Sequence, residues 1–160
     1  MNKIDHNNLP ELLLEVDKIA RKAGRKILEI YETDFFIANK KDNSPLTAAD
    51  TAAHKIICNC LSLLAPNIPI LSEESSHIDF SERMKWSQYW LVDPLDGTRE
   101  FIKKNGEFSV NIALIDGNQS VLGVVYIPVI DTSYIATTDY GAYKCCEKNK
   151  RRISVRKTNK

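Results

Sequence analysis

The sequence contains few cysteines, no long hydrophobic run and almost no excess of charge of either sign, and each shortage excludes a class of protein. The four cysteines occur as Cys58-x-Cys60 and as the adjacent Cys145 and Cys146, and neither spacing is that of a zinc site or a thioredoxin-like redox pair. The formal net charge of +1 gives the chain no general attraction to nucleic acid or to a membrane surface. No apolar run reaches the roughly 20 residues that a transmembrane helix needs. The sequence therefore predicts a globular protein with reduced thiols, no transmembrane segment and no nucleic-acid partner.

Both ends of the sequence are polar. The segment from Met1 to His6 leads directly into a helical pattern, which predicts that no signal peptide is present. We therefore expect a cytoplasmic location, with peripheral contact with the inner membrane as the alternative. Basic residues outnumber acidic ones between residues 144 and 160, and we expect a solvated edge strand around Ile153 to Val155 there rather than a tail that binds nucleic acid.

Two helical patterns come first in the chain and a series of strand patterns follows them. Apolar residues from Leu9 to Ile30 recur at helical spacing, which predicts an amphipathic helix that closes near Tyr31. A second helix, rich in small residues, is predicted from around Thr47 to Leu64, after a polar loop at 39–45. Strands are predicted at 35–38, 68–71, 89–92, 108–115, 121–129, 133–137, 141–145 and 153–155. Two N-terminal helices packed on a mostly antiparallel sheet make an α+β fold.

The most informative stretch is the run Asp93-Pro94-Leu95-Asp96-Gly97-Thr98, which follows the apolar strand pattern at 89–92. Gly97 carries no side chain, so a ligand can approach the backbone closely at that point. Thr98 can cap a short helix through Glu100 to Lys104. Two acids, open backbone N–H groups and a helix start in one turn predict a site for a hard divalent cation and a phosphate.

Further acids surround this turn in the predicted fold. Glu73 and Glu74 follow another predicted strand, and Asp50 lies in the first turn of the second helix. If neighbouring strands bring these ends together, the carboxylates repel one another and raise one another's pKa. A divalent cation relieves that repulsion, and a ligand set made only of oxygen favours Mg²⁺, Mn²⁺ or Ca²⁺ over zinc. For Asp50 or Glu73 taken alone, a solvated loop acid or a helix cap remains the alternative.

These motifs resemble those of the Mg²⁺-dependent, lithium-sensitive phosphatases of the inositol monophosphatase superfamily. The run at 93–98 resembles their signature, the segment Ser72 to Ser75 resembles their upstream metal motif, and Thr47 to Asp50 resembles the motif that opens their second helix. The longer runs at 43–50 and 96–108 are similar to the bacterial 3'(2'),5'-bisphosphate nucleotidase branch of the superfamily. The resemblance implies the layered αβ fold of sugar phosphatases.

The resemblance also implies a reaction and its metal ligands. The expected reaction removes the 3'-phosphate of adenosine 3',5'-bisphosphate (PAP) to give AMP, in sulfur assimilation, with Mg²⁺ as cofactor and a small phosphate monoester as substrate. Glu73, Asp93 and the Leu95 carbonyl would bind one Mg²⁺. Asp96, together with Asp93, would supply part of a second metal site.

The catalytic and phosphate-binding roles follow from the same resemblance. Asp50 and Thr98 would position and deprotonate the attacking water. The substrate phosphate would lie against the backbone from Leu95 to Thr98, which includes Asp96 and Gly97, and beside the metal ligand Glu73. Glu74 would support the metal ligands from behind.

The sequence departs from the superfamily in one respect. Members usually continue as a second αβ domain whose Trp-Asp-x-Ala-Ala motif contributes an aspartate to the second metal, and this motif does not occur in the sequence. We therefore expect residues 1–160 to be the N-terminal metal- and phosphate-binding domain, with the C-terminal domain absent. Such a chain is expected to be slow or inactive and to form a homodimer through the apolar face that the second domain would cover.

Other functions stay open at this point. An inositol monophosphatase-type sugar phosphatase is one, and an inactive fragment or interaction domain is another. A haloacid-dehalogenase-type phosphatase is disfavoured because it needs Asp-x-Asp spacing, whereas Asp93 and Asp96 stand one residue further apart. The histidines His6, His54 and His77 show no spacing to a serine or cysteine nucleophile, so no hydrolytic triad is predicted. Turnover measured with and without Mg²⁺ separates the phosphatases from an inactive chain.

Overall fold

A computed structural model of the chain describes residues 3–33, 45–75, 78–146 and 149–156. Its helices are α1 (Leu9–Tyr31), α2 (Pro45–Leu64), α3 (Phe80–Arg83) and α4 (Thr98–Ile102), with 3₁₀ turns at His6–Asn8 and Pro128–Ile130. Its strands are β1 (Ile70–Ser72), β2 (Gln88–Asp96), β3 (Ser109–Asp116), β4 (Gln119–Ile127), β5 (Thr132–Thr137), β6 (Gly141–Cys146) and β7 (Asn149–Ile153). The strand predicted at 35–38 and the loop at 39–44 lie outside the described residues.

The seven strands form one sheet in the order of the sequence, and only the β1–β2 pair is parallel. The other neighbours are antiparallel. The helix α1 packs against α2 and against β3, β4 and β5, whereas α2 packs against β2. The predicted α+β fold, with two helices on a mostly antiparallel sheet, is thus confirmed.

Hydrophobic periodicity explains which face of each element is buried. Along β3, Val110, Ile112 and Leu114 alternate with more exposed residues, and all three are at most 1% exposed in the core. On the other face of the sheet, opposite α1 and α2, Leu91 and Val125 are 44% and 41% exposed. The two long helices therefore cover one side of the sheet and leave the other side open.

Close packing between α1 and the sheet depends on Gly24. A Cβ atom added at this position would lie 2.5 Å from the Tyr126 ring and 2.9 Å from Pro128. Such contacts are too short for real atoms, so a larger residue would push α1 away from the sheet. The helical spacing predicted α1 correctly but gave no sign of this contact.

Several boundaries differ from the sequence prediction. The helix α2 begins at Pro45, so Asp50 lies in its second turn rather than its first. The strand β2 runs through Asp96, so both acids of the motif belong to the strand rather than following it. The four-residue helix α3 was not predicted, because so short a segment shows no periodicity.

The prediction that Thr98 caps the short helix is wrong. The helix α4 has Gly97 as its N-cap, in the left-handed conformation with φ of 94°, and no side chain caps it. Thr98 is instead the first helical residue. A glycine tolerates a positive φ without the steric cost of a Cβ atom, and this lets the chain turn sharply out of β2.

None of the described helices is both long enough and apolar enough to span a membrane.

Candidate active site

The carboxyl ends of β1 and β2 meet at one edge of the sheet because these two strands run parallel. Ser72 pairs with Val92 at the end of β1. One residue further, the Glu73 N–H donates to the Val92 carbonyl at 3.1 Å. Glu73 therefore lies beside Asp93, the next residue of β2. The expected meeting of the two strand ends is confirmed, and it brings two of the predicted metal ligands together.

The helix α2 carries Asp50 into the same place. Asp50 is only 9% exposed, and its carboxyl group lies close to the carboxyl group of Glu74. Burial raises the pKa of Asp50 to about 7, and the negative charges of Glu74, Asp93 and Glu73 add to the effect. Three separate elements thus deliver four acids to one small volume.

Asp93 is perturbed in the same direction. Burial raises its pKa to about 6, and repulsion from Glu73 and Asp96 contributes, while a hydrogen bond from the Leu95 backbone acts in the opposite sense. Like charges that share a site disfavour ionisation unless an opposite charge joins them. The shifts of Asp50 and Asp93 therefore both indicate a place for a cation.

The hydrogen bonding of these acids is also incomplete. The Oδ1 atoms of Asp50 and Asp93 are buried and have no hydrogen-bond partner among the described residues. A buried carboxylate oxygen without a partner costs free energy, and a metal ion satisfies it as well as a hydrogen bond does. The available donors are carboxylate and carbonyl oxygens, which suit Mg²⁺. The residues present therefore fit the expected cofactor.

The fit is that of a partly open metal site. Within the described ranges, no three His, Cys, Asp or Glu side chains converge tightly enough to hold an ion by themselves. Mg²⁺ usually keeps several waters and binds through one or two carboxylates and the substrate's phosphate rather than in a closed protein cage. The use of the Leu95 carbonyl as a ligand stays a prediction, and the Leu95 residue itself is held in the core at 1% exposure.

A β-bulge in β2 aims the second acid of the motif. Asp93 pairs with Asn111, whereas Asp96 pairs with Ser109, so β2 contains one extra residue between the two acids. A bulge of this kind bends the strand and redirects a side chain. Asp96 is exposed, and its Oδ2 accepts a hydrogen bond from Asn111 Nδ2 at 3.1 Å.

Asn111 is a site neighbour that the sequence reasoning missed. It lies opposite Asp93 in the ladder and bonds to Asp96. Ser109 in turn donates to Asn111 Oδ1 at 3.2 Å. The sequence predicted strands at 89–92 and 108–115, but finding Asn111 also needed the register in which these strands pair.

The end of the motif has a different character. Gly97 is closely packed on one side, because an added Cβ atom would lie 2.7 Å from the Glu107 carbonyl oxygen. Thr98 is exposed at the start of α4. The predicted site residues at 50, 73, 93 and 96 are therefore brought to one edge, with Gly97 and Thr98 on the turn that follows.

His54 also reaches this edge, although the sequence offered it no partner. Its Nδ1 lies 2.9 Å from Ser72 Oγ and 3.6 Å from Cys58 Sγ. Ser72 is 5% exposed, and burial raises the pKa of the Cys58 thiol. Neither group is an accessible, activated nucleophile, so the contact does not make a hydrolytic triad.

The fold of the described residues is that of a known protein family. A model of the inositol monophosphatase family matches residues 10–160, and the chain belongs to this family. The 3'(2'),5'-bisphosphate nucleotidase CysQ of Shigella flexneri is 53% identical over 127 residues, which are 78% of this chain and 51% of that protein. The chain thus spans about half the length of the curated relatives it matches.

Solved structures agree with the sequence comparison. The crystal structure of CysQ from Bacteroides thetaiotaomicron, a bacterial member of the inositol monophosphatase family, superposes with a TM-score of 0.81 at 40% identity. It covers 94% of this chain, and 60% of that chain is matched. The extragenic suppressor protein suhB from Bartonella henselae gives a TM-score of 0.72 at 32% identity, over 91% of this chain and 55% of that one.

Proposed function

We propose that the chain provides the metal- and phosphate-binding part of a Mg²⁺-dependent phosphomonoesterase that removes the 3'-phosphate of adenosine 3',5'-bisphosphate. The observation that carries the proposal is the buried acidic cluster in which Asp50 and Asp93 each have an oxygen with no hydrogen-bond partner among the described residues. The similarity to proteins named 3'(2'),5'-bisphosphate nucleotidase supports the choice of substrate. Sulfur assimilation is the process in which such a substrate arises, and the proposal places the chain there.

In this proposal Glu73, Asp93 and the Leu95 carbonyl hold one Mg²⁺, and Asp96 helps to hold a second. Bound Mg²⁺ supplies Lewis-acid polarisation of the phosphate and lowers the pKa of water. The β2 bulge sets the relative positions of Asp93 and Asp96. Asn111 restrains the Asp96 carboxylate through its amide, which fixes the direction of the oxygen that stays free.

The remaining residues act on water and phosphate. Asp50, which α2 holds beside the strand ends, accepts the proton of the attacking water, and the exposed hydroxyl of Thr98 orients that water. Gly97 allows the positive φ with which the chain turns out of β2, and this turn presents the backbone between Leu95 and Thr98 to the phosphate. Residues 1–160 form the metal- and phosphate-binding domain, and the longer relatives have further chain to complete the second metal site.

A sugar phosphatase is the second candidate, because the family to which the chain belongs is named for inositol monophosphate hydrolysis. The run at 99–108 favours the nucleotidase instead, since it resembles that branch. Phosphate release from adenosine 3',5'-bisphosphate and from inositol 1-phosphate, each with and without Mg²⁺, decides between them. Faster release from the nucleotide, dependent on Mg²⁺ and inhibited by Li⁺, is the expected result. Faster release from inositol phosphate would assign the chain to the other substrate class.

Catalysis by 160 residues is expected to be slow, so the metal is also measured directly. Calorimetric titration with Mg²⁺ or Mn²⁺ is expected to show weak binding at one site. A chain that neither binds metal nor releases phosphate would contradict the proposal and favour an interaction domain.

A further inference from the structure

We propose that His54 is a positioning residue that holds, through Ser72, the turn that carries Glu73 and Glu74. The inference rests on the proposed function, because it concerns the placement of the proposed metal ligand Glu73. Within the described part of the chain, His54 hydrogen-bonds to neither Glu73 nor Asp93, so it acts through Ser72.

The helix α2 presents His54 and Asp50 to the same edge of the sheet. The two residues are four apart in the helix, which places them one above the other on the same side. Asp50 reaches Glu74, and His54 reaches Ser72. One face of α2 therefore makes two polar contacts with a single short segment of chain.

Ser72 is the fixed point of that segment. It is the last residue of β1 and is 5% exposed. Its carbonyl accepts a hydrogen bond from the Ser75 N–H at 3.0 Å, which closes a turn with Glu73 and Glu74 at the two central positions. The Glu73 N–H is tied to β2 through Val92. A contact that holds the Ser72 side chain therefore fixes the backbone position from which both glutamate side chains extend.

The two contacts from α2 differ in what a cation would do to them. The Asp50–Glu74 contact joins two acids, and a cation at the site competes for their oxygens. The His54–Ser72 contact, at 2.9 Å, uses no acid. It can stay in place whichever carboxylate oxygens bind the ion. Hydrogen bonds behind a ligand of this kind fix the ligand's orientation before the metal arrives.

Cys58 provides a matched control. It lies four residues after His54 in α2 and approaches the same ring, at 3.6 Å from Nδ1. Among the described residues, Cys58 makes no hydrogen bond to the turn at 72–75. Replacing Cys58 therefore disturbs the packing around His54 without removing the bond to Ser72.

The test is Mn²⁺ affinity, measured by calorimetry and by the electron paramagnetic resonance signal of free Mn²⁺, on the full 160-residue chain. His54→Ala and Ser72→Ala are each expected to weaken binding about 10- to 100-fold. The double variant should be no weaker than the worse single variant, because both remove one interaction. His54→Asn, whose amide can occupy the place of Nδ1, should restore most of the affinity, and Cys58→Ala should leave it unchanged. If His54→Ala does not fold, His54→Gln replaces it in the test. The Gln amide lies one bond further from the backbone than Nδ1 does, so it does not reproduce the hydrogen bond to Ser72.

Thermal unfolding of each variant in EDTA separates positioning from stability. Lower melting temperatures with unchanged Mn²⁺ affinity would overturn the inference, and so would a Cys58→Ala variant as weak as His54→Ala. In both cases the wild type still binds Mn²⁺ and the proposed function stands. A wild type that binds no Mn²⁺ would overturn the inference and the proposed function together.

Discussion

The two ends of the β2–β3 hairpin carry acids in opposite states. At one end, Asp116 receives hydrogen bonds from Lys3, His6 and Gln88, which lower its pKa to about 2. At the other end, burial and neighbouring acids raise the pKa of Asp93 to about 6. The same kind of residue is fully paired in one place, whereas in the other it keeps a buried oxygen with no hydrogen-bond partner among the described residues. An acid of the first kind is structural, and an acid of the second kind is available to a ligand.

The largest expected effect is on metal affinity, which should depend on Asp93 and not on Asp116. Asp93→Asn is expected to abolish measurable Mg²⁺ or Mn²⁺ binding, because it removes a proposed ligand and the charge that attracts the ion. Asp116→Asn is the matched control and should leave the affinity unchanged, because Asp116 is already paired with Lys3 and His6. Calorimetric titration of the three proteins checks the prediction. Equal binding by wild type and Asp93→Asn would show that the ion lies elsewhere.

A glycine follows each of these regions and allows a second comparison. Gly97 has φ of 94°, and a Cβ atom added there would lie 2.7 Å from a backbone oxygen. Gly117 has φ of 61°, and a Cβ atom added there would have no described atom within 4 Å apart from those of its chain neighbours. Both changes to alanine strain the backbone, but only Gly97→Ala also forces atoms apart. We expect Gly97→Ala to lower the free energy of unfolding by about 1–3 kcal/mol, and by more than Gly117→Ala does.

Urea unfolding of the two glycine variants and the wild type measures this difference. A larger loss for Gly117→Ala would mean that the loop at 107–108 moves aside easily. It would also mean that the close approach of the Glu107 carbonyl does not require a glycine at position 97.

The sequence predicts some parts of the structure well and others not at all. Apolar spacing predicted α1, since Leu13, Val16 and Ala20 recur at helical intervals and are all buried. The proximity of Glu73 and Asp93 was expected, because each acid follows a predicted strand and neighbouring strands bring such ends together. The roles assigned to these residues remain predictions.

What the sequence could not supply is the pairing across elements. Asn111 bonds to Asp96 only because of the register of β2 and β3. His54 meets Ser72 only because α2 packs over the end of β1. The Thr98 cap failed because the positive φ of Gly97 made the glycine the N-cap. Each of these depends on backbone geometry that residue types alone do not determine.

The pH dependence of stability should also separate the two ends. Asp50 and Asp93 have folded pKa values of about 7 and about 6, above the ordinary value of 3.8. Their protonated forms therefore favour the folded state, and stability without metal should rise as the pH falls from 8 to 5. Asp116 has a folded pKa of about 2, below the ordinary value. Its contribution is present above pH 4 and is lost as the pH falls towards 2.

Urea midpoints measured in EDTA across this range check both windows. Saturating Mg²⁺ should remove the pH dependence of stability between pH 8 and 5, because the cation replaces the proton as the partner of the acids. Asp93→Asn should remove part of the pH dependence in the same range. Asp116→Asn should reduce only the pH dependence between pH 4 and 2. A lower midpoint at pH 5 than at pH 8 in EDTA would contradict the pKa directions of the site.

The smallest expected effect concerns the two faces of the sheet rather than its two ends. The face opposite α1 and α2 exposes Leu91 and Val125. Beside the acidic motif it forms an open groove of about 540 Å³ lined in part by Val125, Ile127 and Val129. Exposed apolar surface costs roughly 25 cal/mol per Å² relative to burial, and a two-fold contact buries the same patch on two copies at once. We therefore expect the 160-residue chain to form a weak homodimer through this face.

Light scattering and sedimentation at increasing concentration measure the association. Val125→Lys should weaken it, since it places a charge in the apolar groove. Leu14→Lys is the matched control, because Leu14 is 47% exposed on α1, outside the groove. If both variants weaken association equally, the contact is unspecific. A chain that stays monomeric at all concentrations would show that this open face is stable in water, and that the exposed residues at 91 and 125 are too scattered to act as one patch.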